Sequence, residues 1–471
     1  MKISRFLRIV SVLIAVILSL CACQSEQPEI IPEYNPSSDQ SDLDGIELVW
    51  GFSMSRYNED VDNVFGFIPG TAFADQALER KKNVESDLNC VITVDNDSSS
   101  YVIGDRLNAS LASGSHLYDL ATCDSSIRRT LVRGGGYFIG LSSLLDVQNT
   151  EKWGTPSMLQ MMLWEDDLYG VVPFAWPDLL YSTTGHIFAV NETLVSMLGQ
   201  ADPREYVENL TWNWDKLEEV LEAYTYQDAG KTVYGMQCHD AYFGMNMFLS
   251  NGVAFSAYEN GEVVCGAYTE PGRVALERAK DIYNNTCTDY IYPDAAPGDL
   301  KYITNGDVVM EVISHGALFS TDSSLLYQME NIGVLPFPQG PNATPGVYSS
   351  YYEQIAFTTS IPVNTVDAQA AAMVLSEMFE PFEGLETKDD IADYMTDQVF
   401  FDKRDAEIFI KTIANTEYGF FWEGGRAVLE LSVSSNDSVS TILESHEDIY
   451  DELVEDYLEK HYAGRIAVYG E

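Results

Sequence analysis

The sequence predicts an α/β protein, and two observations predict it. Short runs rich in β-branched and aromatic residues recur along the 471-residue chain, and stretches of helical length and pattern lie between them. Strands alternating with helices at this spacing imply a parallel sheet wound through crossover helices. No internal repeat at solenoid or propeller period is present.

The elements follow in order. "GIELVWGF" (45–52) reads as the first strand, followed by a helix around Phe73 to Leu88. "CVITVD" (90–95) is a second strand, 101–113 a helix, and "YDLATC" (118–123) a third strand. Alternation resumes with "HIFAVN" (186–191) and helices over Trp214–Tyr224 and Pro271–Asn284. "VVMEVI" (308–313) and "IGVLPFP" (332–338) are strands. "DAQAAAMVLSEMF" (367–379) is a helix by propensity. The last helix, Glu447 to His461, sets Ile449, Leu453 and Val454 on one face.

The amino terminus is not part of this fold. Lys2, Arg5 and Arg8 precede an apolar run from Ile9 to Leu20, interrupted only by Ser11 and Ser19. About 12 residues fall short of the ~20 that span a bilayer. A basic head, a short apolar run and small residues read as a secretory signal. Leu20-Cys21-Ala22-Cys23 resembles the bacterial lipobox, with Leu20 at −3 and Ala22 at −1 from Cys23. Residues 1–22 are therefore expected to be a lipoprotein signal and Cys23 the diacylglycerol acceptor. Residues 23–44, with Pro28, Pro32 and Pro36 among Ser, Glu, Asp and Gln, read as a disordered tether. A diacyl anchor holds a protein firmly at a membrane. The expected location is the extracellular face of a cell membrane, of Gram-positive type.

Composition narrows the partners. The chain carries 73 acidic and 26 basic residues, a net charge of −47. Nucleic acid and anionic membrane surfaces need clustered Lys and Arg, so this charge argues against both as partners. Neutral and cationic ligands are permitted. Beyond the signal lie Cys90, Cys123, Cys238, Cys265 and Cys287, none in a C-x-x-C pair. Export permits disulfides, yet an odd number cannot all pair within one chain. Mostly buried thiols, with at most one bridge, are expected.

Catalytic signatures are missing. Neither H-E-x-x-H nor G-x-S-x-G occurs. "AGKT" (229–232) lacks the earlier P-loop glycine, since position 225 is Thr225. "DNDSSSYVIGDR" places Asp95 and Asp97 like calcium ligands, but Ser100 and Arg106 stand where Gly and Glu belong. The six histidines show no ligand spacing, although His239 and His315 stand beside candidate binding residues. No cofactor, no metal and no enzymatic activity are expected.

Seven stretches in order resemble the extracellular solute-binding proteins of ABC importers, the group that includes maltose-binding protein. They are "LASGSHLYDLA" (111–121), "GYFIGLSSLL" (136–145), "DDLYGVVPF" (166–174), "FAVNETLVSMLG" (188–199), "LTWNWDKLEEV" (210–220), "ITNGDVVMEV" (303–312) and "NIGVLPFPQGP" (331–341). The resemblance covers roughly residues 45 to 461. It implies a two-lobed periplasmic-binding-protein-like fold of type II, hinged around a ligand cleft. The implied division is 45–178 and 334–382 for one lobe, and 179–333 and 383–471 for the other. Crossings are implied near 175–185, near 331–340 and after about 380.

The same resemblance implies a site on loops at strand carboxyl ends. Phe52, Ser53 and Arg56 follow the first strand, and Asp124 ends the third. Trp176 follows the Tyr-Gly-Val-Val-Pro segment. "CHDAYFGMNMFLSNG" (238–252) supplies Asp240, Tyr242 and Phe243. His315 follows the Val308 strand where many relatives carry a tryptophan, and "YGFFWEGG" (418–425) centres on Trp422. Each aromatic also has an ordinary reading as core packing. Rings stack on the apolar face of a sugar while carboxylates accept its hydroxyl protons. The implied function is capture of a small solute, a neutral oligosaccharide, by a lipid-anchored monomer that delivers it to ABC permease subunits. A peptide, polyamine or other cationic solute is the alternative, and an anchored hydrolase or a sensory lobe ranks below both.

If Cys23 is the lipid acceptor, Cys23→Ala should lose the diacylglycerol mass and remain unprocessed or leak into the medium. Cys21→Ala should stay anchored. Intact-mass measurement of the membrane-held form decides, and Cys21 retained there would overturn the assignment.

Overall fold

The structure is a computed structural model and describes residues 42–52, 72–95, 100–124, 136–172, 185–259, 261–293, 300–314, 317–318, 325–352, 357–400, 402–418 and 433–470. The expected signal, Cys23 and nearly all of the tether lie outside these residues.

Two separate sheets organise the chain. In the first, β1 (Ile46–Phe52) runs parallel to β2 (Cys90–Asp95) on one side and to β3 (Leu120–Asp124) on the other. Helices Ala72–Asp87 and Ser100–Ser113 make the crossovers. Alternation along β1 buries Leu48, Trp50 and Phe52. The Trp50 indole N–H would be costly to bury unpaired. It donates to Thr122 Oγ1 at 2.9 Å, and Thr122 exchanges a 2.6 Å hydrogen bond with Thr359. The hairpin β4 (Leu163–Trp164) and β5 (Asp167–Leu168) joins this lobe where Leu141 N–H meets the Leu168 carbonyl.

The second sheet contains β6 (His186–Asn191), β7 (Tyr226–Asp228), β8 (Lys231–Gln237), β11 (Val308–Ser314) and β12 (Ile332–Leu335) in the order β12-β6-β11-β8-β7. A small hairpin, β9 (Ser256–Glu259) and β10 (Glu262–Cys265), flanks it. Helix Trp214–Tyr224 starts where Asn213 accepts from the Lys216 N–H, and it buries Trp214, Leu217, Val220, Leu221 and Tyr224 along one stripe. Residues 229–230 form the tight turn of the β7–β8 hairpin, with Ala229 and Gly230 at φ 47° and 87°. This is a turn, not a phosphate cradle.

The remaining strands are β13 (Ser350–Tyr352), β14 (Phe357–Ser360) and β15 (Thr416–Tyr418). β14 returns to the first sheet beside β3, and β13 pairs in parallel with β15.

Two expectations are corrected here. Neither sheet is purely parallel: β14 is antiparallel to β3, and β6 is antiparallel to β11 and β12. Both β14 and β6 are first strands after a passage from the other lobe. They enter at the carboxyl edge of a sheet wound from its amino edge, so they run the opposite way. The passage expected near 331–340 also lies later. Gln339 N–H bonds the Trp212 carbonyl and Gly340 N–H the Ser250 carbonyl, both at 3.0 Å, so this stretch stays on the second lobe. The chain changes sheets between Tyr352 and Phe357.

After β14, helix Ala368–Met378, capped by Asp367, packs on the first lobe. Phe379 meets Trp50 edge-on at 5.6 Å and Trp153 at 6.3 Å. Helix Lys403–Ile413 then packs against β12. Its buried Asp405 accepts from Val334 N–H at 2.9 Å and from Arg204 at 2.8 Å. Arg204 also meets Glu192, Asp202 and Asp402 at 2.5, 2.8 and 3.8 Å. Deleting one partner of such a buried cluster strands the others, typically at about 3–5 kcal/mol.

The last helical run, Glu447–Tyr469, contains a π-helical turn at Val454–Leu458. Its first part packs on the second lobe, where Tyr450 meets Tyr268 at 4.8 Å. Its end packs on the first-lobe hairpin. A Cβ on Gly464 would stand 2.7 Å from Trp164 N, and Gln148 Nε2 donates to the Val468 carbonyl at 2.6 Å. The expected inward face is corrected: Ile449 is exposed, and Tyr450, Leu453, Tyr457 and Leu458 are buried. The two tyrosines fill the stripe, shifting the buried face by one position. All five cysteines, Cys90, Cys123, Cys238, Cys265 and Cys287, are free buried thiols.

Gly185, the residue before β6, sits where three segments converge. A Cβ there would lie 2.9 Å from Ser350 Cβ and 3.1 Å from Thr416 Cγ2. Ser350 cannot turn aside freely, because its hydroxyl donates to the His186 carbonyl at 2.7 Å. Gly185→Ala should therefore destabilise the chain by about 1–3 kcal/mol, the usual cost of overpacking. Urea titration against wild type checks it, and an unchanged midpoint would show that the three segments yield.

Candidate functional site

Strand registers locate the candidate site. β1 ends at Phe52, β2 at Asp95 and β3 at Asp124, and β14 begins at Phe357, opposite Asp124. These positions share one edge of the first sheet. In the second sheet β8 ends at Gln237 and β11 at Ser314, and β6 begins at His186, opposite Ser314. The departing chain at Val171 lies antiparallel to β14 and so also leaves toward the carboxyl edge. The passages from Val171 to β6 and from β13 to β14 therefore join carboxyl edge to carboxyl edge. Open α/β sheets bind ligands outside these edges.

On the second lobe this edge holds a ring cluster. β8 is followed by His239 and then by helix Asp240–Leu249. His239 and Asp240 are 30% and 28% exposed at their side chains, and His239 Nδ1 lies 3.1 Å from Asp240 Oδ1. The half-buried Tyr242 ring stacks on His186, with centroids 4.1 Å apart and planes 26° apart. His239 leans against the same tyrosine at 5.3 Å. An acid, an imidazole and a tyrosine thus lie together, partly open to solvent. This set can stack against an apolar ring face and accept hydroxyl protons.

The sequence-predicted site residues divide into three groups. Asp240 and Tyr242 are brought together, as described. Phe243 is not part of that surface: it is fully buried between Tyr283 at 5.6 Å and Phe337 at 6.4 Å. Phe52 is likewise buried, 2% exposed and edge-on to Trp50 at 6.1 Å. The causes are local: from Phe243 onward the helix is buried on every side, so that only its first turn reaches the edge, and Phe52 alternates onto the same core side of β1 as Leu48 and Trp50. The Asp124 backbone pairs with Phe357 at the carboxyl edge. Ser53, Arg56, Trp176, His315 and Trp422 lie outside the described residues.

Sequence reasoning missed two residues. His186 is buried beneath Tyr242, and fully buried Asn246 donates to the Tyr242 carbonyl at 2.8 Å. The i, i+4 spacing of Tyr242 and Asn246 within one helix is the signal that could have found the second. No local signal marks His186.

Among the described residues no cluster of His, Cys, Asp or Glu is arranged to hold a metal ion. Asp95, the calcium-like position, instead accepts from Tyr118 at 2.7 Å and pairs with Arg106 at 3.3 Å. Arg106 stands where a calcium loop needs its glutamate, and it supplies a positive charge to the same carboxylate.

Beside the edge, β15 presents Thr416 toward Gly185 and Glu417 to the opposite face. Glu417 is 9% exposed, and its Oε2 has no hydrogen-bond partner among the described residues. Burial pushes its carboxyl up to about 7, against the opposing pull of Arg465 and the Phe255 N–H.

No family model matches this sequence, and no curated protein matches it. Solved structures do. A cyclic α-maltosyl-1,6-maltose binding protein from Arthrobacter globiformis is similar over 88% of this chain and 100% of its own, with a TM-score of 0.59 at 13% identity. A Staphylococcus aureus extracellular solute-binding protein in complex with maltose matches over 86% and 97%, with a TM-score of 0.58 at 12% identity. A Rhizobium etli sugar transporter structure in an open conformation matches over 88% and 99%, with a TM-score of 0.57 at 15% identity. The chain has their two-lobed binding-protein fold.

A carboxyl raised in the fold holds its proton there more tightly than in the unfolded chain. Its contribution to stability is complete below the ordinary value of 4.5 and is lost as pH rises toward about 7. Glu417→Gln should thus gain melting temperature over wild type progressively between those two values. Parallel pH-dependent melting curves for both proteins would reject the buried neutral carboxyl.

Proposed function

We propose that this chain is a lipid-anchored, extracellular solute-binding protein that captures a neutral oligosaccharide and delivers it to an ABC importer. The observation that carries the reading is the paired carboxyl edges. Two sheets joined edge to edge by their passages form two jaws, and the second jaw offers Tyr242 beside Asp240 and His239. A ring face beside a carboxylate suits a pyranose. Structures of the same fold include ones in complex with maltose and with maltotetraose, which supports a sugar as the solute. Lipid on Cys23 keeps the domain beside its permease. The neighbours are binding proteins, and the chain is read as a carrier with no chemistry of its own.

The net charge of −47 favours one second reading, a cationic solute such as a polyamine or basic peptide held by carboxylates and ring faces.

A solute that touches both jaws favours the closed state by its differential affinity. Maltooligosaccharides should raise the melting temperature and bind with micromolar affinity, about −8 kcal/mol. Small-angle scattering at saturation should then show a smaller radius of gyration. Stabilisation by spermidine or a basic peptide but by no glycan would replace the sugar reading with the cationic one. An unchanged scattering profile at saturation would remove jaw closure.

A further inference from the structure

A half-exposed tyrosine on a helix surface ordinarily samples several rotamers. Tyr242 has a platform instead: the His186 ring lies beneath it at 4.1 Å and 26°. His186 is 2% exposed, and its own ring is fixed. Nδ1 meets the Tyr351 carbonyl at 2.7 Å, and since a carbonyl only accepts, the Nδ1 proton is donated there. Tyr351 belongs to β13, the last strand before the chain changes lobes. Its N–H is also held from the second lobe, by Asn246 Oδ1 at 2.8 Å, and Asn246 Nδ2 donates to the Tyr242 carbonyl at 2.8 Å. The Ser350 hydroxyl donates to the His186 carbonyl at 2.7 Å. One residue of the passage strand, Tyr351, thus fixes the histidine ring through its carbonyl and, through its N–H and Asn246, the backbone that carries the tyrosine.

We propose that His186 is a positioning residue for the binding edge, its ring locked by the passage strand so that it sets the plane in which Tyr242 meets a solute. This rests on the reading of that edge as solute-binding. A histidine buried only for packing would also be hydrogen-bonded, but its loss would cost stability without altering the tyrosine's presentation.

The test uses full-length protein labelled with 3-fluorotyrosine, with the Tyr242 resonance assigned by its loss in Tyr242→Phe. His186→Asn removes the platform, and His186→Phe restores a ring. In His186→Asn the Tyr242 signal should move toward that of free fluorotyrosine. Maltotetraose affinity by calorimetry should fall about tenfold, the worth of an aromatic pair, with melting temperature held within about 3 °C. His186→Phe should keep the signal displaced and hold affinity within about threefold. An unmoved Tyr242 signal in His186→Asn overturns the proposal, as does a large melting loss in both variants with affinity intact. Should maltotetraose fail to bind wild type, the sugar reading fails, and the ligand-free fluorine signal still decides the positioning role.

Discussion

The close approach of three chain segments at Gly185, Ser350 and Thr416 is the constraint on which the arrangement depends. One segment arrives from the first lobe, one is about to return to it, and the third lies in β15. No Cβ fits at position 185, and the Ser350 hydroxyl closes the gap by donating to the His186 carbonyl. Close-packed interiors do not deform continuously. Whatever motion the lobes make must take place around this junction rather than through it. The ring cluster that faces solvent is built directly on it, through His186 and Asn246.

A second connection joins the lobes. The last helical run starts on the second lobe, passes through a π-helical turn, and ends against the hairpin of the first. Tyr258 of β9 stacks on Tyr462 at 5.4 Å, nearly parallel, and extends this bridge toward the small hairpin of the second lobe. Glu417 belongs to the same region: it shares the face of the β13–β15 ladder that meets Phe255 and senses the charge of Arg465 on the last helix. π-helical turns are common at functional sites, and this one sits between the two points of attachment.

Elements that carry their own signals were legible. The strand over 90–95, the strand over 186–191 and the helix Trp214–Tyr224 stand where their composition, period and cap place them. Asp240 and Tyr242, which the family resemblance singled out, do lie together at the end of β8. Ile449 was misplaced because tyrosines, amphipathic by nature, took the buried stripe at 450 and 457. Phe243 and Phe52 were misplaced for a related reason: being aromatic and close to a binding edge does not say which way a side chain points.

By itself the sequence determined the alternation of strands and helices and the strongly acidic character of the chain. These depend on local propensity, period and composition, which short windows contain. Tertiary structure alone decided the direction of β6 and β14, since a strand's direction in a sheet depends on the edge at which the chain enters. It alone decided that Gly185 must be a glycine and that His186 underlies Tyr242. The groups that impose those roles stand far along the chain, the Tyr351 carbonyl 165 positions beyond His186. No local pattern encodes a contact between residues so far apart, and folding alone brings them within hydrogen-bonding distance.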